Sequence, residues 1–192
     1  MIDSPIFFAA LTYTPATLGF LGCIKPKTIF PLAILTLLGI AGLTLKALQT
    51  GYEISYKLMW IGGIEFTFDK YTFPLLFAAS ISLLIVFSTY RDKLSHYFYQ
   101  ICLVLLTALT VSFSAQDLIS IYIALELTGF CAFILIADRN DNKSLFHSFQ
   151  YLIGGGLAML IYLIGVVQGF QFSGSFLISD LSTATTPALC LI

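Results

Sequence analysis

Apolar residues gather in six long runs, at 6–24, 28–48, 72–90, 97–115, 118–137 and 145–168, with short polar stretches between most of them. Each run is close to the roughly 20 residues that a helix needs to cross a hydrocarbon core of about 30 Å. Pro15 falls inside the first run. It predicts a kink there and a freed carbonyl that a helix bundle re-satisfies. Between the second and third runs, residues 49–71, the period changes. YEISYKLMW and IEFTF alternate apolar with polar positions around Gly62-Gly63. That predicts a β-hairpin lying in water beside the membrane. Residues 169–192 are rich in Ser, Thr and Gly and predict a loop. It closes on PALCLI, too short to span and reading as the opening of a further helix. The expected fold class is therefore an all-α polytopic membrane protein in one membrane domain over 1–192. It has about six transmembrane helices and a β-hairpin-like extramembrane loop between helices 2 and 3.

Composition agrees with the pattern. Of 192 residues, 58% are hydrophobic and only 10% charged, where soluble domains carry about 25% charge. The net charge of −1 and the lack of a Lys/Arg patch exclude a nucleic-acid surface. Cys23, Cys102, Cys131 and Cys190 form no CxxC and lie at no metal spacing. Cys102 and Cys131 sit in apolar runs as small core residues. No nucleotide, flavin, haem or metal site is visible, so no cofactor is expected. The N-terminus carries Asp3 in place of a basic region, so it reads as a retained helix and not a signal peptide.

Loop charge gives an orientation. Lys25, Lys27, Arg91, Lys93, Arg139 and Lys143 fall in three short loops on one side. Lys57 and Lys70, with Lys46 at the edge, fall in the hairpin region on the other. Basic short loops stay in the cytoplasm. The hairpin and both termini are then outside. Tyr90, Tyr97 and Tyr99 on the basic side, and Trp60 and Tyr71 by the hairpin, read as interfacial anchors.

The chemistry centres on Glu126, the one charge within Ile119–Ala137. A carboxylate at mid-membrane costs roughly 2.5–3.5 kcal/mol on insertion scales. Such acids face a bundle interior or a wet path, so Glu126 is the expected buried proton-handling residue. The alternative is a hydrogen-bonded acid that only fixes packing. Tyr122 and Phe130, four residues either side, flank it on one face. Thr128 bonds its own backbone. Asp117, at the head of the fifth helix, reads first as a cap and second as the mouth of a proton path. His147 and Gln150 share a face at i, i+3 near the start of the sixth helix and are further candidates for that path. Gly154-Gly155-Gly156 lacks the Lys-Ser/Thr of a phosphate loop and reads as a site of close helix approach.

Three stretches carry a resemblance. FDKYTFPLL (Phe68–Leu76), SAQDLISIYIALELTGFCAFILIA (Ser114–Ala137) and RNDNKSLFHSFQYLIGGGLAMLIYLIGVV (Arg139–Val167) resemble the antiporter-like membrane subunits of respiratory complex I and of multi-subunit cation/proton antiporters. The match covers about Asp69–Val167, and the Asp117-to-Glu126 spacing is its most specific part. The resemblance implies a many-helix fold with inverted repeats, and Glu126 as the family's central glutamate. It also implies a place in an NADH or ferredoxin:quinone oxidoreductase-type translocase. The expected partners are other hydrophobic subunits in the lipid bilayer of an energy-coupling membrane, bacterial or organellar. Two departures stand out. Gln150 occupies a position where the family has lysine, and the family is more than twice as long, so the chain looks like its N-terminal portion. The competing reading is a non-transporting subunit that scaffolds a larger membrane complex.

The orientation is directly testable. Single cysteines at positions 91 and 143 should resist an impermeant maleimide in sealed right-side-out vesicles. Ready labelling of either position would reverse the topology.

Overall fold

The structure is a computed structural model. It describes residues 4–22 (side chains from residue 11), 29–51, 53–57, 64–91, 95–137 and 141–181. Several residues weighed above lie outside them: Cys23, Lys25, Lys27, Trp60, Gly62, Gly63, Lys93, Arg139, Cys190 and the closing residues 182–192.

The elements run α1 (Ser4–Leu21), α2 (Ile29–Thr50), β1 (Ile54–Lys57), β2 (Glu65–Phe68), α3 (Thr72–Thr89), α4 (His96–Ser114), α5 (Leu118–Ile136), α6 (Asn142–Ser173) and α7 (Ile178–Leu181). Helices α2 to α6 are each long and apolar enough to cross a membrane. The helix of α1 runs on through Pro15. β1 and β2 pair as the expected hairpin between the second and third helices. An ion pair, Lys57 Nζ to Glu65 at 3.3 Å, joins the two strands. The sixth helix outruns its apolar stretch at both ends and reaches 32 residues, about 48 Å at 1.5 Å per residue. It therefore takes in residues 169–173, which composition alone assigns to a loop. It stops at Gly174, whose φ of 69° is left-handed and whose N–H caps Phe170 O at 2.8 Å.

The described chain forms two compact units. The first is Met1–Tyr56 with Thr67–Ser114, and the second is Lys57–Phe66 with Ala115–Ile192. In the first, α2 buries Ile29, Ala33, Leu37, Ile40, Thr44 and Ala47, the three-and-four spacing of one helix face. Tyr99 of α4 is the hub of an aromatic group. Its ring meets Phe87 of α3 edge-on at 4.8 Å and Phe30 of α2 at 5.5 Å. Its hydroxyl donates to Arg91 O at 3.1 Å, and the Arg91 guanidinium lies 4.7 Å over Phe30. Tyr99 is thus a core residue and not an interfacial anchor, because three helices cover it and its polar tip is already bonded. Tyr90 and Tyr97 are exposed.

The close-approach glycines also differ from expectation. At Gly154, Gly155 and Gly156 an added Cβ meets nothing within 4 Å. At Gly19 of α1 it would stand 3.2 Å from Gln100 O of α4, and at Gly22 it would collide with Ile29. Contact inside this chain therefore demands small residues on α1 and leaves those of α6 open.

Asp69 starts α3. Its Oδ1 accepts from Tyr71 N at 3.0 Å, Thr72 N at 2.9 Å and Thr72 Oγ1 at 2.9 Å. Pro74 fits in the first turn because its missing N–H has no helical partner there. Partial burial pushes the Asp69 carboxyl up, but the bonds from Thr72 and Tyr71 outweigh it and hold the group below its usual value of 3.8. A depressed folded-state value stabilises above the unfolded one and is lost as pH falls through the folded one. Asp69→Ala should cost about 0.5–2 kcal/mol, as other caps do. The loss should show in the thermal midpoint of the detergent-solubilised protein above about pH 4 and shrink at lower pH. A deficit that stays constant into acid would mean that the cap acts through shape alone.

Candidate functional site: the groove between helices 5 and 6

Helices α5 and α6 pack antiparallel in the second unit. Two ring pairs set their register: Tyr122 stacks on Tyr162 at 6.3 Å and 11°, and Phe133 meets Phe149 at 5.8 Å. Between these pairs the helices leave a groove of about 440 Å³. Its walls include Glu126, Thr128 and Gly129 from α5 and Tyr151, Gly155 and Gly156 from α6, and the remaining lining is apolar. The glycines explain the space, since each lacks the side chain that would fill it.

Glu126 lies about 12 Å along α5 from its start at 1.5 Å per residue. It is half-buried, not buried as the sequence suggests. The physical reason is coverage, since α6 covers only one side of α5 and much of α5 is open within this chain. No hydrogen bond or ion pair engages the Glu126 carboxylate among the described residues. Thr128 donates to Ala124 O at 2.8 Å, the expected backbone bond. Phe130 lines the groove, whereas Tyr122 is drawn off to its partner Tyr162. Only one of the two expected aromatic flanks therefore shares the groove with Glu126.

Asp117 is the fully buried acid. It is 0% exposed, the only charged side chain in the core of the described residues. Its extended backbone pairs with Leu177, and its neighbours bond outward: Gln116 N to Glu65 O, Leu118 N to Phe176 O and Ile178 N to Gln116 O. That short weave covers the head of α5. Oδ1 accepts from Ser120 N at 2.7 Å, the bond of an N-cap. Oδ2 is buried with no hydrogen-bond partner among the described residues. Tyr162 approaches the same end, its hydroxyl donating to Leu118 O at 3.1 Å. Sequence reasoning found the cap but placed the buried charge nine residues away. The signal it lacked is long-range, the return of residues 176–178 over the helix head.

His147 and Gln150 do meet, Nδ1 to Oε1 at 3.4 Å, on an exposed part of α6 near its start. Neither lines the groove with Glu126, but Tyr151, which sequence reasoning passed over, does. Cys102 and Cys131 are buried in α4 and α5. Among the described residues no three His, Cys, Asp or Glu side chains cluster as metal ligands.

Residues 115–190 match the family described as NADH:quinone oxidoreductase/Mrp antiporter, TM. They are an antiporter-type membrane domain. NADH-quinone oxidoreductase subunit N of Dehalococcoides mccartyi is 28% identical over 152 residues, covering 74% of this chain and 30% of that protein. NADH-ubiquinone oxidoreductase chain 2 of Dictyostelium citrinum is 34% identical over 71 residues, 37% of this chain and 14% of the relative. A chain of the Mrp complex from a Dietzia species shares the fold with a TM-score of 0.83 at 16% identity, over 100% of this chain and 40% of its own. The chain is a distant, partial homologue of these antiporter-like membrane subunits, and it spans about a third or less of the curated relatives named here. The antiporter-type domain contains the whole groove, with Glu126, Tyr151 and the buried Asp117.

The Asp117 cap makes a stability prediction. Asp117→Ala should destabilise the antiporter-type domain by about 0.5–2 kcal/mol, and Asp117→Asn by less, since Asn caps equally well. Thermal melting in detergent, followed by tryptic cleavage, checks the order. An alanine variant as stable as the parent would remove the cap from the account.

Proposed function

We propose that this chain serves as part of a proton- or sodium-translocating membrane subunit, with Glu126 as its proton-handling residue. The observation that carries the reading is the unpartnered Glu126 carboxylate, half-buried in an apolar helix and facing a groove with room for water. A carboxylate in that setting is costly to keep. Its charge responds strongly to an approaching cation or to water, and that sensitivity lets a group take up and release a proton. Asp117, His147 and Gln150 are proposed as parts of the path that serves it. The relatives support the class of machine, since they include a subunit and a chain of NADH oxidoreductases acting on quinones. Donor and quinone chemistry would reside in partner subunits, which this chain meets through its open apolar faces in an energy-coupling membrane.

A second reading has its own observation. Gln150 cannot carry charge, and neither α5 nor α6 places a cation in the groove. A domain that has lost its cations can persist as a scaffold for neighbouring helices.

One substitution separates the two. Glu126→Gln keeps shape and hydrogen bonding and removes titration. We expect normal assembly and a loss of proton uptake of roughly 10²-fold, a usual scale for one proton-transferring group. Glu126→Asp should keep part of the activity. Uptake is measured in vesicles of the parent organism at matched amounts of assembled complex. Full uptake in Glu126→Gln would establish the scaffold reading.

A further inference from the structure

We propose that Tyr151 is the proton-carrying link between His147, at the head of α6, and Glu126, across the α5–α6 groove. The proposal rests on Glu126 being a proton-handling group and names a residue that the reading above leaves out.

The placement comes from helix geometry. Residues four apart share a helix face. Lys143, His147, Tyr151 and Gly155 therefore form one stripe down α6 from its first turn. The stripe enters the groove at Tyr151, which lines it together with Gly155 and Glu126. The ring pairs Tyr122–Tyr162 and Phe133–Phe149 put Gly156 and Ala158 opposite Glu126. Tyr151 then stands about 8 Å from that level toward the turn between the helices, and His147 about 6 Å further, at 1.5 Å per residue. Steps of this size are bridged by one or two waters, and the groove has the volume to hold them.

The chemistry selects Tyr151 from the polar groups in the wall. The Thr128 hydroxyl proton is committed to Ala124 O. The Tyr151 hydroxyl has no partner among the described residues, nor does the Glu126 carboxylate. One can donate, and the other accepts. A phenol is both donor and acceptor, so it passes a proton without a net change. Its hydroxyl gives a proton to water on the Glu126 side and takes one from water on the His147 side, and the phenol is restored. His147 holds the exposed end, with Gln150 at 3.4 Å orienting its ring. The groups that titrate or carry charge along this route are Glu126 on α5, with Lys143, His147 and Tyr151 on α6 and Asp141 at its cap.

The test compares shape with proton carriage. Tyr151→Phe preserves the ring and removes the hydroxyl, whereas Tyr151→His changes the shape and restores a group that both donates and accepts. Both are introduced into the whole complex, with subunit level in the purified assembly as the fold check. We expect proton uptake to fall at least about tenfold in Tyr151→Phe, the lower side of what one proton-transferring group contributes, and to recover in part in Tyr151→His. A packing role predicts the reverse order, with Phe near normal and His defective. Near-normal uptake in Tyr151→Phe, or a loss that His does not relieve, would overturn the link. Glu126→Gln is run beside them. Loss there with normal Tyr151→Phe sinks this inference alone. Retention there sinks the reading it rests on.

Discussion

Every backbone polar group of a membrane helix must be satisfied without water, and the helix ends are where that rule is hardest to meet. This chain meets it with aspartates. Asp69 takes the first free N–H groups of α3, Asp117 that of α5, and Asp141 that of α6, accepting from Lys143 N at 3.0 Å. Each acid also lies at the positive end of a helix dipole. Within the helices the small hydroxyls turn inward on their own carbonyls, as Thr44 does to Ile40, Thr110 to Leu106 and Ser114 to Thr110, all within 2.9 Å. Polar residues in the apolar runs are thus neutralised locally. Glu126 is the exception, and that sets it apart from the other acids of the helices.

The two units solve the packing problem differently. In the first, three helices close around Tyr99 and the stripe of α2, so apolar residues meet one another. In the second, α5 and α6 meet along one line, and α6 leaves Phe146, Ile153, Leu157, Ile161 and Phe172 open. In water such a surface would drive aggregation. In a bilayer it is the surface that lipid or further helices cover.

Much of this was legible in residue order. The lengths of the apolar runs give the helices to within a few residues, and the switch from long runs to alternation at 53–57 marks the hairpin. Those signals are local. The errors share one cause, which is that burial depends on what comes back from far along the chain. Tyr99 looks like an interface tyrosine until α2 and α3 close over it. Asp117 looks like an ordinary cap until Phe176 and Leu177 return to seal it. Glu126 looks buried from its neighbours in sequence, yet the helices that would cover its outer side are not among those packed on α5. The glycine triplet misled in the same way, because small residues license close approach without saying whether anything approaches.

The contrast between the two acids of α5 argues for their separate tasks. Asp117 has one oxygen fixed by Ser120 N and its backbone pinned by Leu177. A proton arriving there would weaken the bond that starts the helix, so the cap works best in one constant state. Glu126 is held by no such bond, and the glycines opposite leave it room to move and to be wetted. Changing its charge disturbs no hydrogen bond described in the chain. A residue that must gain and lose a proton on each cycle has to be placed where both states are tolerated. Of the two acids of α5, only Glu126 stands in such a place, about 12 Å along a helix that otherwise carries no charge.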